Sequence, residues 1–146
     1  MNDNFIHFYQ KHLNQLKEEI EMYPNEESIW KVVPGITNSA GVLACHLIGN
    51  LNHFVGHVLG DTGYVRDRSL EFSIRDLPRD EIIKRITDTS EMLESVIKKI
   101  PDLKESYPSG YWSWESDIHY ALLQLLWHLT YHLGQINYHR RILTRV

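Results

Sequence analysis

Cysteine is almost missing: Cys45 stands alone among 146 residues. A single thiol excludes an intramolecular disulfide and any metal site built from paired thiolates, so a bound metal would rely mainly on nitrogen and oxygen donors. A large excess of one charge sign is missing too. Fifteen Lys plus Arg against nineteen Asp plus Glu give a formal net charge of −4. Both signs are scattered along the chain, and no basic stripe marks a nucleic-acid or anionic-membrane partner. No run approaches the roughly eighteen apolar residues of a membrane span. The opening MNDNFIHFYQ lacks the basic-then-apolar order of a signal peptide. The expectation from these two absences is a cytoplasmic protein.

Strand-like alternation is negligible, nothing repeats at a fixed period, and no segment is low in complexity. Several chemistries lack their motifs as well. There is no His-Glu-x-x-His of a zincin, no Glu-x-x-His of a di-iron bundle, no Cys-x-x-Cys-His of attached haem and no phosphate-binding Gly loop. A mononuclear centre is the metal chemistry these absences leave.

What the chain does have is four long stretches of helical periodicity. Phe5, Tyr9, Leu13, Leu16, Ile20 and Tyr23 recur at steps of three and four, the signature of an amphipathic helix, which should end before Pro24. A second helix is expected after PGITNS, capped by Thr37, Asn38 or Ser39, running through AGVLACHLIGNLNHFVGHVLG to a Gly stop. A third opens at DLPRDE, with Asp76 as its cap, Pro78 in its first turn, and Ile82, Ile86, Leu93, Val96 and Ile100 as its buried stripe. The fourth starts near Ser116 or Asp117 and continues almost to Val146, about 45 Å at ~1.5 Å per residue. Four such helices around one core imply a single all-α domain over residues 1–146, a four-helix bundle.

Histidine is unusually placed. On the fourth helix Ala121, Leu125, His128, His132, Gln135, His139 and Ile142 share one stripe, beside an aliphatic stripe of Leu122, Leu126, Leu129, Leu133 and Ile136. The second helix repeats the pattern: Ser39, Leu43, His46, Asn50, His53 and His57 run beside Leu47, Leu51, Phe54 and Val58. The aliphatic flanks must face the core, so the imidazole flanks are at least partly inside. An unpartnered polar group there costs ~2–7 kcal/mol. A divalent metal is one partner; carbonyls and water are the other. His128 and His132, one turn apart, suit a pair of ligands. A third donor must come from another element, and His46 is the choice. The set His53, His57 and His139 satisfies the spacing as well.

The combination of TNSAGVLACHLIGNLNHF with LLWHLTYHLGQINYHRRIL resembles the DinB/YfiT-like superfamily of metal-dependent enzymes, four-helix bundles with a three-histidine site. The match spans most of the chain. Its informative parts are the Ser-containing entry to helix two followed by a His in ACHLIGNL, and the pattern His-x3-His-x-Gly-Gln at His128, His132, Gly134 and Gln135. The connector GYVRDRSLEF, residues 63–72, looks like that of an Arg-rich subgroup. Carried over by position, the resemblance implies His46, His128 and His132 as metal ligands, with zinc or nickel as the ion. It further implies an open coordination position, a homodimer, and in some relatives the transfer of low-molecular-weight thiols such as bacillithiol or mycothiol.

Around this centre the residues allow two readings each. Asn50 and Gln135 either support ligands and substrate or make interhelical hydrogen bonds. Gly134 marks close approach of another backbone, room beside a metal, or plain helix packing. Arg66, Arg68 and Glu71 on the connector either hold an anionic small-molecule substrate or form a salt bridge. Trp112 and Trp114 wall a pocket or cap the bundle end. Cys45, next to His46, points about 100° away from it into the core. Neither imidazole stripe carries a carboxylate, so the sequence assigns no general base. An enzyme acting through an open metal position, by thiol transfer or hydrolysis, is the first hypothesis. A dimeric binding or stress-response module in which a metal merely ties two helices together is the second. Haem held by two histidines would need a larger apolar slot.

Overall fold

The apolar steps of three and four in the sequence become the long helices, whether or not a side chain caps their start. A computed structural model describes residues 1–108, 110 and 115–144. Six helices follow in order: α1 (Asn2–Glu21), α2 (Glu26–Ile29), α3 (Ala40–Gly60), α4 (Arg68–Ser73), α5 (Arg79–Lys98) and α6 (Ile118–Thr144). No strand occurs among the described residues. An isolated antiparallel bridge joins Ser106 to Asp117 and ties the α5–α6 connection to the start of α6. The Trp112 and Trp114 readings lie outside the described residues.

The buried stripes are largely those the periodicity predicts; Ile100 lies beyond the end of α5 and, like Phe54, Val58, Leu126 and Leu133, is only partly buried against the core. Tyr9, Leu13, Leu16 and Ile20 of α1 meet Ile82, Ile86, Leu93 and Ile97 of α5 and Leu122, Leu129 and Ile136 of α6 in one core. Leu47, Leu51 and Val55 of α3 complete it. Four long helices thus share a core, with α1 packed on α5 and α6, and α3 packed on α4, α5 and α6. By length and composition α3 could cross a membrane, with a most apolar window of mean hydropathy 1.2; 67% of that window is buried inside the fold. Its apolar flanks are used up on its neighbours.

Three local expectations change. Ser39, not Thr37 or Asn38, caps α3, its hydroxyl accepting from the Val42 N–H. Asp76 does not cap α5. The N-cap is Pro78, and the orphan N–H of Arg79 donates instead to the Glu26 carboxylate, which α2 holds in place. The α3 end is closed by Asp61 in the left-handed region, at φ 48°, rather than by a glycine. Asp117, in contrast, starts α6 as expected: its carboxylate accepts from the Tyr120 N–H at 2.7 Å.

The largest departure lies inside α3. Its first part, Ala40–Leu51, is α-helical, but Asn52–His57 is a π-helical turn. Asn52 Nδ2 donates to the Ile48 carbonyl and to Thr89 Oγ1, both at 2.9 Å, so its side chain bridges α3 to α5 where the ladder widens. A π turn advances the register by an extra residue, so the stripe counted at steps of three and four is valid only to Asn50. Such turns are frequent at functional sites.

Candidate metal centre

His46 sits in the α-helical part of α3, two turns in from the Ser39 cap, and is buried. His128 and His132 sit one turn apart in the middle of α6, half-buried. The packing of α3 on α6 brings the three rings together, with centroids of 5.0 Å for His46–His128, 5.4 Å for His46–His132 and 4.6 Å for His128–His132. Nε2 of His128 lies 3.2 Å from Nε2 of His46 and 3.1 Å from Nε2 of His132. The donor atoms of all three lie within 4.8 Å of one another. Among the described residues this trio is the group of three or more donors able to hold a metal ion.

Hydrogen bonding explains why such contacts suit a cation. Glu71 Oε1 lies 3.2 Å from Nδ1 of His46; a carboxylate only accepts, so that nitrogen carries the proton. Gln135 Oε1 lies 2.7 Å from Nδ1 of His132 and likewise accepts. In neutral rings both Nε2 atoms are therefore bare lone pairs. The His128 ring can offer one Nε2–H at most, which serves one neighbour and leaves the other lone pair facing a nitrogen. A divalent ion bound by the three nitrogens would resolve this. Zinc–nitrogen bonds of ~2.0–2.1 Å in a tetrahedral site would place the nitrogens about 3.3 Å apart, within ~0.2 Å of the two His128 spacings; the donor atoms of His46 and His132 lie within 4.8 Å of each other. The residues fit the group.

The electrostatics favour the neutral form of His128 and of His132. Burial, then the neighbouring His132, His46, Arg66 and Arg68, push His128 down to about 4. Burial also lowers His132, against the opposing bond to Gln135. Neutral imidazole is the form that ligates a metal.

Glu71 is the residue that the stripes do not reveal. It comes from α4, a short helix in the connector started by Asp67, whose carboxylate accepts from the Leu70 N–H. Burial alone would raise its carboxyl. The bonds from His46 and Arg66 and the guanidinium charge outweigh that and hold it below the usual carboxylate range. Arg66 binds it bidentately, Nε to Oε2 at 2.8 Å and Nη2 to Oε1 at 2.9 Å. Both carboxylate oxygens are thus engaged, and Glu71 positions His46 rather than acting as a free base. The available signal was Gly49, three residues after His46. A Cβ there would overlap the Glu71 carboxylate, so the glycine is the notch that lets the acid reach the helix.

The other candidates are placed as follows. Arg66 forms the connector salt bridge. The exposed Arg68 lies over the Phe72 ring at 5.5 Å, and Phe72 in turn packs on His46 at 4.8 Å. Asn50 is buried one turn beyond His46, its Oδ1 without a hydrogen-bond partner. Gly134 meets nothing within 4 Å, which excludes the close backbone approach. Cys45 is buried, and that burial pushes its thiol up to about 11. The alternative trio is not assembled. His139 accepts from the Tyr23 hydroxyl at 2.6 Å and donates to the Lys31 carbonyl at 2.7 Å, while His53 and His57 stack on each other in the π turn at 5.7 Å.

Comparison of the chain with protein-family models, with curated proteins and with solved structures finds no match in any of the three.

Proposed function

We propose that this protein is a metal-dependent enzyme of the DinB/YfiT-like four-helix-bundle type, with zinc or nickel held by Nε2 of His46, His128 and His132. The observation that carries the reading is the convergence of the three Nε2 atoms, with Nδ1–H of His46 and of His132 each tied off by an acceptor. A donor set of three protein nitrogens is the pattern of catalytic rather than closed structural sites. The chemistry a divalent ion supplies in that position is Lewis acidity toward a thiol or a carbonyl, suited to thiol transfer, with a carrier such as bacillithiol, or to hydrolysis. The chain's own residues orient and shield: Glu71 and Gln135 fix the tautomers, and Phe72 and Tyr131 pack against the His46 and His132 rings. A closed sphere of four protein donors would favour the binding-module alternative; the His, Cys, Asp and Glu group found among the described residues has three members.

Metal content of untagged protein, measured by mass spectrometry, tests this. Wild type is expected to carry or take up close to one equivalent, and His46→Ala, His128→Ala and His132→Ala are each expected to lose it. Full occupancy in any single variant would remove that residue from the ligand set. A wild type that takes up no divalent ion would end the enzyme reading.

The same reading includes a homodimer. Tyr120, Leu123, Trp127 and Tyr131 are exposed along one stripe of α6, and an apolar stripe of this kind suits pairing with its own copy about a two-fold axis. Wild type should sediment as a dimer and Trp127→Glu as a monomer with its metal retained. A monomeric wild type at all concentrations would refute it.

A further inference from the structure

Beside the centre lies a cavity of about 580 Å³, within the size range of small-molecule sites. The His132 ring is shared by the cavity and the ligand trio, and Gln135, which fixes that ring, lines the cavity too. Its apolar and aromatic walls are Val33, Ile36, Leu43, Tyr131, Tyr138 and Ile142, with Thr37, Asn38 and His139 as further uncharged polar lining. Among the described residues no Asp, Glu, Lys or Arg lines it. The two connector arginines, Arg66 and Arg68, are elsewhere: the first is bound bidentately by Glu71 and the second lies over Phe72.

The geometry points to a ligand with an uncharged aromatic or branched-aliphatic tail lying in this cavity and a sulfur or oxygen head at the three histidines. The head group rests on the metal reading above; the preference for a neutral tail does not. An apolar tail gains from leaving water against these walls. A carboxylate on the same tail would lose its hydration there with no cation to meet it. Discrimination therefore comes from the walls, and the ligand trio sets only where the head lies.

A matched pair of probes tests this: phenylmethanethiol and 4-(sulfanylmethyl)benzoate, titrated calorimetrically into chelator-treated protein and into protein with zinc restored. The neutral thiol is expected to bind at least about tenfold tighter than the benzoate in both forms, with zinc strengthening both. Ile36 and Ile142 are exposed enough to accept a charge without disturbing the core. Ile36→Lys and Ile142→Lys, which supply the missing cation, should erase the preference, with zinc content and Tm unchanged. Equal or tighter binding of the benzoate, no binding of either thiol, or a preference untouched by both substitutions would overturn the proposal. A preference that persists while zinc alters neither affinity would uphold the cavity and overturn the metal reading.

Discussion

Gly49→Ala is expected to weaken zinc binding by roughly 10- to 100-fold although it touches none of the three ligands. The added methyl would overlap Oε2 and Cδ of Glu71. The carboxylate is the far end of a flexible side chain and can swing away, so the helix itself is not broken. Swinging away means leaving His46 and Arg66. Alanine gains ~1 kcal/mol of helix propensity over glycine, but each charge-assisted hydrogen bond lost is worth ~1.5–3 kcal/mol. The loss wins. Tm should fall by several degrees, at ~2–4 °C per kcal/mol for a chain of this size. Gly134→Ala is the control: with open space around its Cβ, it should raise stability by up to ~1 kcal/mol and leave zinc affinity alone. If Gly49→Ala melts no lower than wild type and binds zinc equally well, Glu71 is not what orients His46.

Arg66→Ala should be the most destabilising single change in the connector, lowering Tm on the order of 10 °C. The pair it breaks is buried, with side-chain exposures of 13% for Arg66 and 7% for Glu71. Removing one member of such a pair costs ~3–5 kcal/mol because the other charge stays behind without compensation. Arg66→Lys should recover only part of this, since an ammonium cannot bridge both carboxylate oxygens. The double variant Arg66→Met with Glu71→Leu should recover much of the stability, because no buried charge remains. It should not recover zinc affinity, because His46 Nδ1–H then has no acceptor. Thermal melts paired with zinc titrations separate the two effects. A double variant that regains zinc affinity along with stability would reduce Glu71 to a purely structural role.

Much was legible in the sequence for a simple reason. A helix places residues three and four apart on one face whatever surrounds it, so the buried stripes of α1, α5 and α6, the pairing of His128 with His132 and the placement of His46 on a polar flank are one-dimensional facts. The periodicity fails only where the backbone stops being α-helical. The π turn at Asn52–His57 is stabilised partly by Asn52 reaching Thr89 on α5, a contact far away in the chain. The same holds for the caps: Glu26 serving Arg79 is invisible to a rule that searches only the preceding residues.

The sequence by itself determined the four long helices, their apolar faces and the three imidazoles offered by two of them, because local backbone geometry dictates these; the short α2 and α4 were not legible in it. The tertiary structure alone decided which histidines meet. Of two trios with acceptable spacing, His139 went to Tyr23 and the Lys31 carbonyl, while His46 came to within 3.2 Å of His128. It also decided that the orienting carboxylate would arrive from the connector. Both outcomes depend on the relative height of α3 and α6 and on how α4 folds back against Gly49, and packing across the core sets those distances.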